Sequence, residues 1–165
     1  MDEFNAAPRQ AAIEALQRCC GATTWVQAMV QARPFADLPA LLAQADSSWA
    51  RCGESDWLEA FSHHPRIGDV ASLRTKFADT ANWAESEQGG TRCADQVTLE
   101  ALAAGNHDYE ARFGHIFIVC ATGKTAGEML ELLRTRLDNP LEIERPLAAT
   151  EQHRITRLRL EKLFT

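Results

Sequence analysis

The run Phe61-Ser62-His63-His64-Pro65-Arg66-Ile67-Gly68-Asp69 brings two imidazoles, a guanidinium and a carboxylate close together in the chain. An imidazole exchanges a proton near neutral pH, so such a run can supply an acid/base group or metal ligands. A metal site would need further ligands from Asp69, His107, His115, Glu85 or Glu87. Adjacent residues on a helix point about 100° apart. That geometry, and the lack of an H-x-x-x-H spacing, disfavours His63 and His64 on one ion. Spacing alone leaves two further readings open, an acid/base histidine and ordinary helix-end histidines. A metal-dependent hydrolase built on His63, His64 and Asp69 stands as the competing enzyme class.

Other groups could join such a site. Glu85, Glu87 and Gln88 lie in Trp83-Ala84-Glu85-Ser86-Glu87-Gln88-Gly89-Gly90. A carboxylate beside an amide can orient a hydroxyl or ureido group, and acidic residues also suit the solvated first turn of a helix. Arg154, Arg157 and Arg159 punctuate the last helical stretch, where most arginines face solvent and one could turn inward to hold an anion. The Gly123-Lys124-Thr125 triplet is not a phosphate loop, because the required first glycine falls at Ile118.

The elements that must position these groups read as helical almost throughout. Pro8 to Leu16, Trp25 to Val30, a stretch opening at Leu38 behind Asp37, and Asp56 to Phe61 all show helical spacing. Pro65 disfavours helix at the residue before it, so a helix ends near His63 or His64. Residues 66–82 give a mixed pattern, Ala84 to Gln88 read as a short helix start, and Thr98 to Arg112 as a longer helix. Thr125 and Glu128 form a capping box ahead of a helix that Asn139-Pro140 stops. A last helix covers Leu141 to Leu163, with Pro146 as a kink or its true start. The apolar run from Phe113 to Ala121 is rich in β-branched and aromatic residues and reads as extended. An unpaired buried strand leaves N–H groups without bonds, so a covering helix or a ligand must use them. The expected fold is all-α: a single-domain helical bundle over residues 1–165 with one extended segment near 115–121.

Composition narrows the partners. A net charge of −6 argues against nucleic acid, yet a local group of arginines can still bind a small anion. Cys19, Cys20, Cys52, Cys93 and Cys120 are odd in number and contain no C-x-x-C pair, which fits reduced thiols rather than a disulfide framework. No apolar run approaches a membrane span and the first dozen residues lack an apolar h-region. The expectation is a cytoplasmic protein with no membrane partner.

Several motifs occur in a fixed order: His64-Pro65-Arg66-Ile67-Gly68, Trp83 with Glu87-Gln88, Asn106 with Tyr109, Arg112-Phe113-Gly114 and the run to Ala121, Arg136-Leu137 with Asn139, and Ile155-Thr156-Arg157-Leu158-Arg159-Leu160. Together with Trp25 and Arg33-Pro34-Phe35, they cover nearly the whole chain. This set resembles the 2-oxo-4-hydroxy-4-carboxy-5-ureidoimidazoline (OHCU) decarboxylases of the ureide pathway. The resemblance implies an all-helical homodimer that needs no metal or cofactor and converts OHCU to (S)-allantoin and CO2. It implies His64 and Glu87 as catalytic groups. It implies substrate contacts from Pro65, from Ala84, Glu85, Ser86, Glu87 and Gln88, from the backbone of Phe117, Ile118, Val119, Cys120 and Ala121, and from Arg159. His63 is not carried over, and its expected role is packing or solvent contact. One departure is Ala84, where many members carry serine; Ser86 is the candidate substitute.

Overall fold

Helix start and stop chemistry sets several element boundaries. The computed structural model describes residues 1–66, 70–81 and 91–164, apart from the side chains of 76–81 and 91–95. Among the described residues the order is α1 (Asp2–Ala6), α2 (Arg9–Gln17), α3 (Thr23–Gln31), α4 (Leu38–Trp49), α5 (Glu54–Ser62), α6 (Val70–Ala81), α7 (Thr91–Phe113), α8 (Ala126–Leu137) and α9 (Leu141–Phe164). These residues contain no strand, and residues 116–121 interrupt the helices where the sequence places an extended run. The Asp37 carboxylate accepts from the Ala40 N–H at 2.8 Å and starts α4. Thr125 and Glu128 cap α8 reciprocally, with the Thr125 N–H donating to Glu128 at 2.7 Å and the Glu128 N–H to the Thr125 hydroxyl at 3.3 Å. Gly114 follows α7 at a φ of +73°, a conformation open to glycine without a Cβ penalty, and its N–H bonds the Glu110 carbonyl at 2.9 Å.

Three elements differ from the sequence pattern, the first being α1, which precedes the stretch from Pro8 where helical spacing begins. The mixed stretch after Arg66 contains a full helix, α6, whose Leu73 is buried. Alanine, threonine and lysine fill the positions between its apolar residues, so the stripe is thin. Helix α7 begins at Thr91 rather than Thr98, because a polar first turn carries no hydrophobic period. Pro146 neither ends nor starts α9, which runs on from Leu141 through it.

The chain divides into two compact units. The first holds Met1–His64, Ile118–Cys120 and Leu147–Thr165. Its core is built on Leu16, Trp25, Met29, Leu41, Phe61 and Leu160, each fully buried or nearly so. Burial of one such side chain contributes about 1.5–3 kcal/mol. Two of its tryptophans also satisfy their polar atoms: Trp25 Nε1 donates to the Ala45 carbonyl and Trp49 Nε1 to the Ala149 carbonyl, both at 3.1 Å. Arg33 ties α1 down by donating to the carbonyls of Phe4 and Ala7 at 2.8 and 2.9 Å.

The second unit holds Pro65–Phe117 and Ala121–Pro146. A Cβ at Gly105 of α7 would stand 2.7 Å from Leu133 Cδ2 of α8, so glycine permits the close approach of these helices. A buried polar cluster lies in the same unit. Glu144, with no solvent exposure, accepts from Arg136 Nε at 2.7 Å, from Arg136 Nη2 at 2.5 Å, from the Asn139 amide at 2.7 Å and from the Tyr109 hydroxyl. The Arg136 guanidinium also stacks over the Phe117 ring, 4.7 Å from its centroid. Burial, reinforced by Glu144, pushes the Tyr109 hydroxyl well above its ordinary pKa, so it stays a donor. Removing one member of a buried ion pair leaves the other charge without compensation, which costs about 3–5 kcal/mol. Arg136→Met is therefore expected to lose that much stability in urea unfolding. A loss below about 1 kcal/mol, the range of an exposed pair, would contradict this picture of the cluster.

Candidate functional site

Helix α5 delivers the histidines, and a carboxylate fixes α5. The first N–H groups of a helix have no helical partner and form its positive end. At the start of α3 no side chain of that helix caps them. Glu59, from α5, accepts from the Thr23 N–H at 2.9 Å and from the Thr23 hydroxyl at 2.6 Å. With Ala60 and Phe61 buried beside it, α5 is held against α3. Its last turn tightens, with the His63 N–H bonding the Ala60 carbonyl at 3.3 Å and the His64 N–H the Phe61 carbonyl at 3.1 Å. Pro65 follows and stops the helix, as its sequence position predicts.

The two histidines line one cavity of about 590 Å³ with Ala15, Gln17, Arg18, Cys19, Gly21, Ala60, Arg159, Lys162 and Leu163, all within the first unit. The basic lining groups are Arg18, His63, His64, Arg159 and Lys162, and none of the described lining residues carries a carboxylate. An acidic chain thus presents a locally basic pocket suited to an anion. Arg159 Nη1 donates to the carbonyls of Arg18 and Cys19 at 3.3 and 3.4 Å, where α2 ends and its carbonyls lack helical partners. Those bonds hold the guanidinium at the cavity wall.

His64 is half-buried, and its Nε2 lies 2.5 Å from Gln152 Oε1. Gln152 is fully buried on α9 and donates from Nε2 to the Thr156 hydroxyl at 3.2 Å. His63 is exposed, and its ring lies over the Gly21 backbone: a Cβ at position 21 would come within 2.4 Å of His63 Cγ. Glycine at 21 therefore keeps that wall open for the imidazole.

The structure unites some of the candidates named from the sequence and separates others. His64 and Arg159 share the cavity. Ile118, Val119 and Cys120 belong to the same unit, while Pro65, Phe117 and Ala121 fall in the second. One expectation is corrected. The N–H groups of residues 117–121 were to remain open for a ligand, but the Cys120 N–H donates to Glu151 Oε2 at 2.8 Å. A buried carboxylate from α9 satisfies it, which the sequence pattern gave no means to see. Ala84, Glu85, Ser86, Glu87 and Gln88, and also Asp69 of the competing metal set, lie outside the described residues. Gln152, Thr156, Glu59 and Gly21 are residues that sequence reasoning missed. The available signal was a polar row at i, i+4 and i+7, Gln152-Thr156-Arg159, set among the buried Ala148, Ala149 and Leu160.

Cysteine chemistry is closed at this wall. Burial pushes the Cys19 thiol up to about 11, against a smaller lowering by Arg159 and Arg18. Burial likewise takes Cys20 to about 11 and Cys52 to about 12. All three are protonated at neutral pH and cannot act as thiolate nucleophiles. At pH 8, alkylation of Cys19, Cys20 and Cys52 in the native protein is expected to run at least about tenfold slower than in the urea-unfolded chain. Peptide mapping by mass spectrometry reads the rates, and equal rates would contradict these burial-raised values.

The OHCU decarboxylase family model matches residues 5–161. The chain is 38% identical over 148 residues to the uric acid degradation bifunctional protein TTL of Arabidopsis thaliana, covering 89% of this chain and 45% of that protein. It is 28% identical over 166 residues to the uric acid degradation bifunctional protein PucL of Bacillus subtilis, covering 100% of this chain and 33% of that one. The chain therefore spans less than half the length of either relative. A crystal structure of OHCU decarboxylase in the presence of (S)-allantoin superposes with a TM-score of 0.71 at 33% identity, over 96% of this chain and 99% of that chain.

Proposed function

The chain belongs to the OHCU decarboxylase family, and from that premise we propose that it converts OHCU to (S)-allantoin and CO2, the last step from urate to allantoin. The observation that carries the proposal is the basic cavity in which His64 and Arg159 meet. OHCU is an anion, and a pocket lined by Arg18, Arg159 and Lys162, with no carboxylate among its described lining residues, favours its entry. Arg159 is the anchor for the substrate, held by the end of α2.

The reaction places a hydroxyl and a carboxylate on one ring carbon beside a C=N bond. When the C–CO2 bond breaks, its electron pair forms a C=C bond to the neighbouring carbon and the C=N pair moves onto nitrogen. The substrate thus holds its own electron sink. The nitrogen takes up a proton from water, and the enol so formed gives up its hydroxyl proton and becomes a carbonyl. A proton delivered to one face of the ureido-bearing carbon fixes the S configuration. His64 is the group that delivers it, since an imidazole exchanges a proton near neutral pH. Glu87, with Gln88, is the partner proposed to hold the hydroxyl and ring nitrogens, and Ala84, Glu85, Ser86, Pro65 and the backbone of Phe117, Ile118, Val119 and Ala121 complete the proposed contacts. The reading includes one domain over residues 1–165, a homodimer, and a cytoplasmic location. No helix among the described residues is long and apolar enough to cross a membrane.

Both histidines line the cavity, so a paired substitution separates them. His64→Ala is expected to lower OHCU turnover by about 10²–10⁴-fold, the usual worth of a general acid/base. His63→Ala is expected to stay within a few-fold of the unsubstituted protein, with initial rates followed in the ultraviolet on OHCU made enzymatically from urate. Equal loss in both variants, or full activity in both, contradicts the assignment.

A further inference from the structure

We infer that Gln152 is a positioning residue for His64, setting which ring nitrogen carries the proton. The bond directions around its amide leave one consistent arrangement. Gln152 has no solvent exposure, so both polar atoms of its amide need protein partners. Thr156, also fully buried, donates its single hydroxyl proton to the Gln152 main-chain carbonyl at 3.1 Å. Its Oγ1 is then an acceptor for the Gln152 side-chain N–H at 3.2 Å. The Gln152 NH2 therefore faces Thr156 and its Oε1 faces His64. An amide oxygen only accepts, so the proton between it and His64 Nε2, 2.5 Å away, belongs to the imidazole.

Two chemical consequences follow. In the neutral ring the proton sits on Nε2, and Nδ1 is the basic nitrogen. The orienting acceptor is also an uncharged amide, unlike the carboxylate that supports imidazolium in many acid/base pairs. A neutral acceptor aligns the ring without a full negative charge to retain its second proton. Where the OHCU reaction is concerned, the inference rests on the reading above. His64 as imidazolium gives its Nδ1 proton to carbon and becomes the neutral Nε2–H form, and the substrate hydroxyl proton restores the imidazolium. A proton from water neutralises the ring nitrogen that took the C=N pair, so each turnover takes up one proton as CO2 leaves.

The test reads the histidine directly. Long-range proton–nitrogen correlation spectra of the uniformly 15N-labelled full chain, without substrate, are expected to show neutral His64 protonated on Nε2. Gln152→Glu places a carboxylate at that nitrogen and is expected to raise the His64 titration midpoint by about one unit or more. Gln152→Met keeps side-chain volume but removes the acceptor. It is expected to reduce kcat about tenfold or more, with KM within about threefold. Circular dichroism and urea unfolding establish that each variant is folded. A proton on Nδ1 in the unsubstituted protein overturns the inference, and this spectrum decides even if both variants unfold. So does an unshifted midpoint in folded Gln152→Glu, or full kcat in folded Gln152→Met. If the unsubstituted protein does not turn over OHCU, the decarboxylase reading falls while the tautomer result still judges Gln152.

Discussion

The Gln152 amide has no access to water, so its oxygen and nitrogen must each bond within the protein. One end meets Thr156 on the same helix, four residues on, and the other meets His64 at the end of α5. That requirement joins a local helical pair to a residue 88 positions away. It also turns a general-purpose imidazole into one with a defined ring orientation. The rest of the first unit keeps the two partners in reach. Glu59 locks α5 onto the start of α3, and Trp49 bonds the α9 backbone at Ala149, three residues before Gln152.

The electrostatics of the cavity follow from the same framework. The ends of α2 and α5 and the last turns of α9 bring cationic and imidazole groups to one wall while the chain as a whole is acidic. Arg159 occupies the carbonyl end of α2, where a cation is favoured on its own account. Its charge is met there by carbonyl dipoles, and the described cavity lining holds no carboxylate to neutralise it. Cys19 shares that wall but remains a thiol, so acid/base chemistry falls to the histidines. In the second unit the Glu144–Arg136–Tyr109 cluster plays a structural part, with its charges set against one another in the interior.

Much of this was legible in the sequence. Asp37, and Thr125 with Glu128, mark helix starts by chemistry that acts within a few residues, and each does so here. Pro65 fixes the end of α5 for the same local reason. Helix α6 was obscured because its stripe is thin, and the start of α7 because its first turn is polar. His64 and Arg159 could be named from motifs and family resemblance. Gln152 could not, since a glutamine on a helix reads as solvated until a distant histidine is seen to need it. The Cys120 N–H shows the converse error. It looked open because its partner, Glu151, is 31 positions away and its pairing is set by tertiary packing.

The central claim is that the His64 cavity takes OHCU and returns a single enantiomer. The direct measurement is to form OHCU from urate enzymatically, add the protein, and follow the optical rotation of the allantoin produced. The claim predicts rapid appearance of (S)-allantoin in step with CO2 release. Racemic allantoin appearing at the uncatalysed rate would contradict it.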